Sequence, residues 1–184
     1  MLLHCCCAPC ACYALEYFSS EFRITTLFYN PNIRPREEYY KRAAELVRLL
    51  SLTQYKIPAD SMDCGYDAAA FTVSVAPYQD QPEGGLRCKV CFELRLGETA
   101  ARAKAGGFDC FATTLSVSPH KNAKLINGIG EDLAKSHQVA YLPADLKKKG
   151  GYLRSIELSK QHGLYRQSYC GCDYRLQVQR FAQE

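Results

Sequence analysis

The sequence predicts an α/β domain whose mainly parallel sheet is flanked by helices. Short apolar runs rich in β-branched and aromatic residues alternate with segments of helical period. A parallel return needs a crossover that is usually helical, so this alternation favours parallel pairing. The chain has 184 residues, 47% hydrophobic and 23% charged, a size at which folding hides about 70% of the extended-chain surface. That composition argues against disorder and against a membrane bundle. No repeat, low-complexity tract or linker divides it, so residues 1–184 read as one domain.

Leu2–Cys6 is a short buried strand and Ile24–Tyr29 a longer one, stopped by Asn30-Pro31-Asn32. A helix follows from about Pro35, with Glu37 and Glu38 near the positive end of its dipole. Tyr39, Ala43, Leu46, Val47 and Leu50 recur on one face of it. Gln54–Ala59 reads as another strand and Asp67–Val75 as a short helix. Pro77 to Arg87 is a loop, after which Cys88 to about Ala105 is helical and ends at Gly106-Gly107. Phe108–Ser116 is a strand, and Ser118-Pro119 opens a helix that buries Ile126, Ile129 and Leu133. Val139–Leu142 is a strand, Gly151–His162 a helix ended by Gly163, and a C-terminal helix starts near Asp173.

Twenty-three basic residues against 19 acidic ones give a net charge of +4, which permits a polyanionic partner without demanding one. No apolar run reaches the roughly 18 residues of a membrane span. The start, Met1 to Cys7, lacks the basic head and long apolar stretch of a secretory signal. A soluble, cytoplasmic protein with no membrane contact is expected.

Eleven cysteines are the unusual feature. A chain long enough to fold unaided does not need a disulfide framework, and in a reducing compartment clustered thiols bind metal or do redox chemistry. Seven fall into three groups: Cys6, Cys7 and Cys10 in HCCCAPC, Cys88 and Cys91 in RCKVC, and Cys170 and Cys172 in YCGC. The first group follows the first strand, and open parallel sheets gather ligands at the carboxyl ends of their strands. The second opens a helix, whose dipole lowers thiol pKa and favours ligation. Seven thiols exceed the four that one tetrahedral zinc takes, so they suit an iron–sulfur cluster plus a second metal, or a cluster with spare catalytic thiols. Cys64 and Cys110 read as small buried hydrophobes. Cys5 and Cys12 are ambiguous, though Cys5 should point away from Cys6. His4 reads as a hydrogen-bonded strand residue more readily than as a ligand. Ser118 to Asn122 (SPHKN) is either a helix cap or a phosphate cradle helped by Lys121. Lys147-Lys148-Lys149, with Arg154 and the YRQSY segment, makes nucleic-acid contact reasonable, since cations hold phosphates while rings stack on bases.

HCCCAPC at 4–10, LFYNPNI at 27–33, PEGGLRCKVCFELRL at 82–96, TTLSVSPHKN at 113–122 and KKKGGYLRSIELSKQHGLYRQSYCGC at 147–172 closely resemble the QueH type of epoxyqueuosine reductase, in order and across nearly the whole chain. The resemblance implies a Rossmann-like sheet of the HUP class. It also implies cobalamin-independent removal of the epoxide oxygen from epoxyqueuosine in tRNA, giving queuosine at the wobble position. It implies a [4Fe–4S] cluster with an adjacent mononuclear iron. Carried over by position, Cys6, Cys7, Cys88 and Cys91 hold the cluster while Cys10, Cys170 and Cys172 hold the iron. Cys5 and Cys12 fall outside the pattern. The electrons come from an external donor. His120, Tyr29 or a metal-bound water supplies the proton, and Lys121, Arg154 and Arg166 meet the tRNA or substrate.

Three rivals make different demands. A structural zinc protein that binds RNA would be colourless, and a thiol–disulfide oxidoreductase leaves five clustered thiols unexplained. A nucleotide-dependent tRNA-modifying enzyme needs a Gly/Ser-rich phosphate loop where CCCAPC stands.

Overall fold

Leu2–His4 forms β1, buried on both faces at the centre of the sheet. In the computed structural model, which describes residues 1–52, 62–63, 65–172 and 174, β1 pairs in parallel with two neighbours. On one side is β2 (Thr25–Phe28), with Leu3 opposite Thr26. On the other is β4 (Cys110–Thr113), with Leu3 opposite Ala112. The two-residue strands β3 (Met62–Asp63) and β5 (Ala140–Tyr141) complete an all-parallel sheet of five, in the order β3-β2-β1-β4-β5. The α/β expectation therefore holds.

Alternation along these strands divides the core. Leu3, Phe28 and Ala112 pack with Leu15, Leu46 and Leu158. These come from α1 (Ala8–Phe18), α2 (Arg36–Leu50) and α6 (Gly151–Gln161), which cover one face. Leu2, Leu27 and Phe111 pack with Ala100 and Ala103 of α4 (Leu86–Ala105) on the other face, where α5 (Ala123–His137) packs against α4. The short α3 (Ala68–Val75) lies against α4, its first turn closed by the Asp67 carboxylate accepting from Ala69 and Ala70 N–H. Each fully buried leucine contributes about 1.5–3 kcal/mol.

Several expectations change. The sequence pattern places no element between the first strand and Ile24, yet α1 lies there. Its signal is Pro9 in the first turn, before Ala11, Ala14, Leu15 and Phe18 at helical spacing. The strand expected over Phe108–Ser116 stops at Thr113, and Thr114–Val117 is a 3₁₀ turn in which Thr113 Oγ1 accepts from Leu115 N–H. Ser118-Pro119 does not open α5. Asn122 caps it, its side-chain oxygen accepting from Leu125 N–H at 3.1 Å, and Ser118–Lys121 closes a turn instead. On α2 the buried face runs through Arg42 and Leu49, which leaves Val47 55% exposed rather than buried. Helix α4 begins at Leu86, so Cys88 sits inside its first turn. The strand expected over Gln54–Ala59 and nearly all of the helix expected from Asp173 lie outside the described residues.

The connection after β1 runs outward to β2, while that after β4 runs outward to β5, with α1 and α5 on opposite faces. A crevice therefore opens beyond the carboxyl ends of β1 and β4, the place where sheets of this kind take their ligands.

The first residue of α6 approaches its neighbours too closely for any side chain. A Cβ on Gly151 would stand 2.0 Å from the Leu146 carbonyl oxygen and 2.5 Å from the Tyr13 ring. Gly151→Ala should destabilise the fold by about 1–3 kcal/mol, read as a Tm lower by several degrees in thermal melts. An unchanged Tm would contradict this packing.

Candidate metal centre

Past His4 the chain leaves the sheet, with Cys5 N–H still bonded to the Leu27 carbonyl at 2.8 Å. Cys6 is fixed from the neighbouring strand end: its N–H donates to Thr114 Oγ1 at 3.1 Å, and that hydroxyl donates to the Cys6 sulfur at 3.3 Å. Cys7 is the N-cap of α1 and Cys10 lies in its first turn, so both face the positive end of the helix. The three sulfurs lie within 4.8 Å of one another, and those of Cys6 and Cys7 are 3.8 Å apart. Hydrogen bonds from Cys10 and Cys7 hold Cys6 well below the usual thiol range. Cys10, donating to Cys6 and Cys7, is pushed well above it.

Cys88 and Cys91 stand one turn apart on α4 and share a face. Gly84 N–H reaches the Cys88 sulfur at 3.2 Å. Burial pushes Cys91 up to about 12, against the pull of Arg95.

Cys170 and Cys172 come from a strap laid over α2. The buried Arg42 guanidinium donates to the Cys170 carbonyl at 3.1 Å and the Tyr169 carbonyl at 3.3 Å, and is itself held by Glu38 at 2.7 Å. Arg34 N–H donates to the Gly171 carbonyl at 2.8 Å, and Tyr169 OH returns a bond to the Arg34 carbonyl. Gly171, at φ +117°, has no room for a Cβ, which would meet Ile33 at 2.9 Å. The sequence places two thiols one residue apart, and this glycine lets the strap turn between them.

Two cavities that share lining residues take thiols from each of the three stretches, although Cys6 and Cys7 line neither. One, of about 240 Å³, is lined by Cys10, Cys170, Ser118, His120, Lys121 and Arg166. The other, of about 90 Å³, is lined by Cys88, Cys91, Cys170, Cys172, Phe92 and Arg95. His120, Lys121 and Cys170 line both. Burial alone would lower the pKa of Lys121, but Cys170, Cys6 and Cys10 outweigh it and the net shift is upward. Arg95 behaves alike: burial opposes its charge, while Cys91, Cys170, Cys6 and Cys88 raise its pKa.

The remaining candidates are placed as follows. His120 is exposed at the rim between the cavities. Arg166 lines the larger cavity, with Nη1 3.3 Å from Ser159 Oγ. Arg154 lines neither, and is engaged by both Glu16 oxygens at 2.9 and 2.8 Å and by Glu157 at 3.2 Å. Lys147 and Lys148 are paired with Asp145. Tyr29 is buried in the core beneath the sheet's end. His4 is neutral, its pKa lowered to about 4 by burial and by Arg95, and its two nitrogens are taken by Thr113 Oγ1 at 2.9 Å and the Tyr29 carbonyl at 3.1 Å. Cys5 joins the core on the far side from Cys6, as strand alternation requires, and Cys12 bonds to the Pro9 carbonyl. Cys110 is buried in β4, and Cys64 lies outside the described residues.

The ten described cysteines all carry free thiols. A donor set made of sulfur alone is soft, and it suits iron–sulfur clusters, zinc or cuprous ions rather than the hard cations that take oxygen. The structure groups Cys10 with Cys6 and Cys7, whereas the sequence reading divided them between two metals. Sequence reasoning missed Arg95, Thr114, Asn30 and Arg42. The one signal for Arg95 was a cation one turn beyond Cys91 on the helix that carries the thiols.

The model of the family described as epoxyqueuosine reductase QueH matches residues 1–177. An epoxyqueuosine reductase QueH of Streptococcus pyogenes is 42% identical over 181 residues, covering 97% of this chain and 71% of that protein. One of Staphylococcus aureus is 42% identical over 176 residues, 94% of this chain and 73% of that protein. One of Thermotoga maritima is 34% identical over 177 residues, 96% of this chain and 90% of that protein. With a match of that extent laid over a crevice lined by thiols from three parts of the sequence, the chain belongs to the epoxyqueuosine reductase QueH family.

Proposed function

We propose that this chain is an oxidoreductase that removes the epoxide oxygen of epoxyqueuosine in tRNA to give queuosine, the last step of queuosine biosynthesis. The family supplies the reaction, and one observation carries it to this molecule. Free thiols from three stretches of sequence line one pair of cavities that share lining residues, beside Arg95 and Lys121. The strand order β3-β2-β1-β4-β5 supports a Rossmann-like sheet of the HUP class, in one domain over 1–184.

On this reading Cys6, Cys7, Cys88 and Cys91 hold a [4Fe–4S] cluster, and Cys10, Cys170 and Cys172 hold an adjacent mononuclear iron. When bound, these groups supply electrons singly from an external donor and a Lewis acid for the epoxide oxygen. Two electrons and two protons turn the epoxide into an alkene and water. The chain's own residues do the rest. Lys121, kept charged by its thiol neighbours, holds a phosphate or the polar edge of the nucleoside at the cavity floor. Arg166 holds the RNA at the wall of the larger cavity, and the His120 imidazole delivers a proton to the departing oxygen from the rim. Arg154 reaches RNA only by exchanging Glu16 for a phosphate. No helix among the described residues is long and apolar enough to cross a membrane, and a partner such as tRNA places the work in the cytoplasm.

Anaerobic iron and sulfide analysis, combined with conversion of epoxyqueuosine-containing tRNA by a chemical reductant, tests this reading. Zinc without sulfide would favour a structural site instead. Cys88→Ala should bleach the brown colour and abolish turnover, and retained colour with full activity would remove it from the cluster. Cys170→Ser should keep most cluster iron but lower total iron and activity, and equal loss of both pools would contradict the division of ligands. Lys121→Ala should weaken tRNA binding and reduce the slope of log K against log salt by about 1. An unchanged slope would take Lys121 out of the RNA contact.

A further inference from the structure

Arg95 is sealed beside the thiols at 2% exposure, deeper than Arg87, which lines the same smaller cavity at 5%. A guanidinium cannot shed its proton, so burial leaves it charged and in need of an anion. No described carboxylate pairs with it, although Glu83 lines the same cavity. Nε donates to the Cys91 carbonyl at 3.2 Å, Nη1 reaches Asn30 Oδ1 at 3.5 Å, and the Phe92 ring lies 5.6 Å from the guanidinium carbon. Nη2 is buried with no acceptor among the described residues. Arg42, by contrast, is buried with Glu38 as its counter-ion. Arg95 lines the smaller cavity with Cys88, Cys91, Cys170 and Cys172, and the thiols of Cys91, Cys170, Cys6 and Cys88 are the groups that raise its pKa. Its base is also fixed: Asn30, which it contacts, donates from Nδ2 to the Cys5 carbonyl at 2.9 Å, tying the guanidinium to the turn that carries Cys6.

We propose that Arg95 is a positioning residue of the metal centre, whose unpartnered N–H and buried charge face the sulfur of the bound cluster and raise its reduction potential. The inference rests on the iron–sulfur reading of the same site. One-electron reduction of a [4Fe–4S]²⁺ cluster by a low-potential donor gives [4Fe–4S]⁺, with no bond made or broken and one more negative charge in the cavity. A fixed cation stabilises that added charge, and in a dry cavity it does so more strongly than it would in water. Hydrogen bonds to cluster sulfur act in the same direction. Charge is the governing quantity, so lysine should substitute and the neutral glutamine should not.

The test is a dithionite–viologen redox titration of the anaerobic holoprotein, following cluster absorbance and the EPR signal of the reduced state. At the poise that half-reduces the wild type, Arg95→Gln should show a reduced-to-oxidised ratio lower by about tenfold, which is about 59 mV for a one-electron couple. Arg95→Lys should stay within about threefold of the wild type. A glutamine variant within about twofold of the wild type, or a lysine variant as low as glutamine, overturns the proposal. If Arg95→Gln takes up no sulfide, Arg95→Lys must load a cluster at the wild-type poise; failure of both to load assigns Arg95 to folding and overturns it too. Wild-type protein without acid-labile sulfide would instead bring down the iron–sulfur reading itself, before any variant is compared, and this inference with it.

Discussion

Taking a guanidinium out of water is costly unless an anion goes with it, and Arg95 enters the interior of this protein without a described carboxylate. Burial opposes its charge and that of the partly buried Lys121, and the thiols packed beside both act against that loss. The reverse is also true, since several thiolates in one cavity repel one another unless cations stand among them. Sulfur and cation therefore require each other, and each of the three sulfur-bearing stretches is held to the fold by bonds that serve this meeting. Thr114 holds Cys6, the start of α4 presents Cys88 and Cys91, and Arg42 holds the carbonyls beside Cys170.

The sheet explains why the meeting occurs where it does. With β1 central and the chain departing in opposite senses after β1 and β4, the crossovers leave a crevice open at the ends of those strands. Helix α1 begins at that edge and points its N-terminus toward the same thiols. Phosphate-binding relatives of this architecture use such a helix end to hold an anion. Here Cys7 and Cys10 occupy the position, and the same dipole favours thiolate.

Much of this was legible in the sequence because it was local. Alternating strands and helices gave the fold class, and clustered cysteines marked the centre. The failures were local signals overruled by stronger neighbours. Ser118-Pro119 looks like a helix start, but Asn122 is the better cap and wins. Val47 fits the apolar face of α2 by spacing, but the buried stripe follows Arg42 because the strap needs its guanidinium. The burial of Arg95 and Arg42 was harder to read, since spacing places each beside a local partner but not beside Asn30 or the Cys170 carbonyl, which are distant in the chain. The same holds for Cys10, whose closeness to Cys6 and Cys7 is legible while its choice of metal is not.

The strap has a consequence for how the molecule is made. Cys170 and Cys172 are held in place through the Arg42 bonds to Tyr169 and Cys170, and Gly171 leaves no slack at that contact. A nascent chain still missing these residues can offer an incoming ion the early thiols but never the whole set. Any metal that needs donors from all three stretches can therefore be seated only once synthesis has passed Cys172.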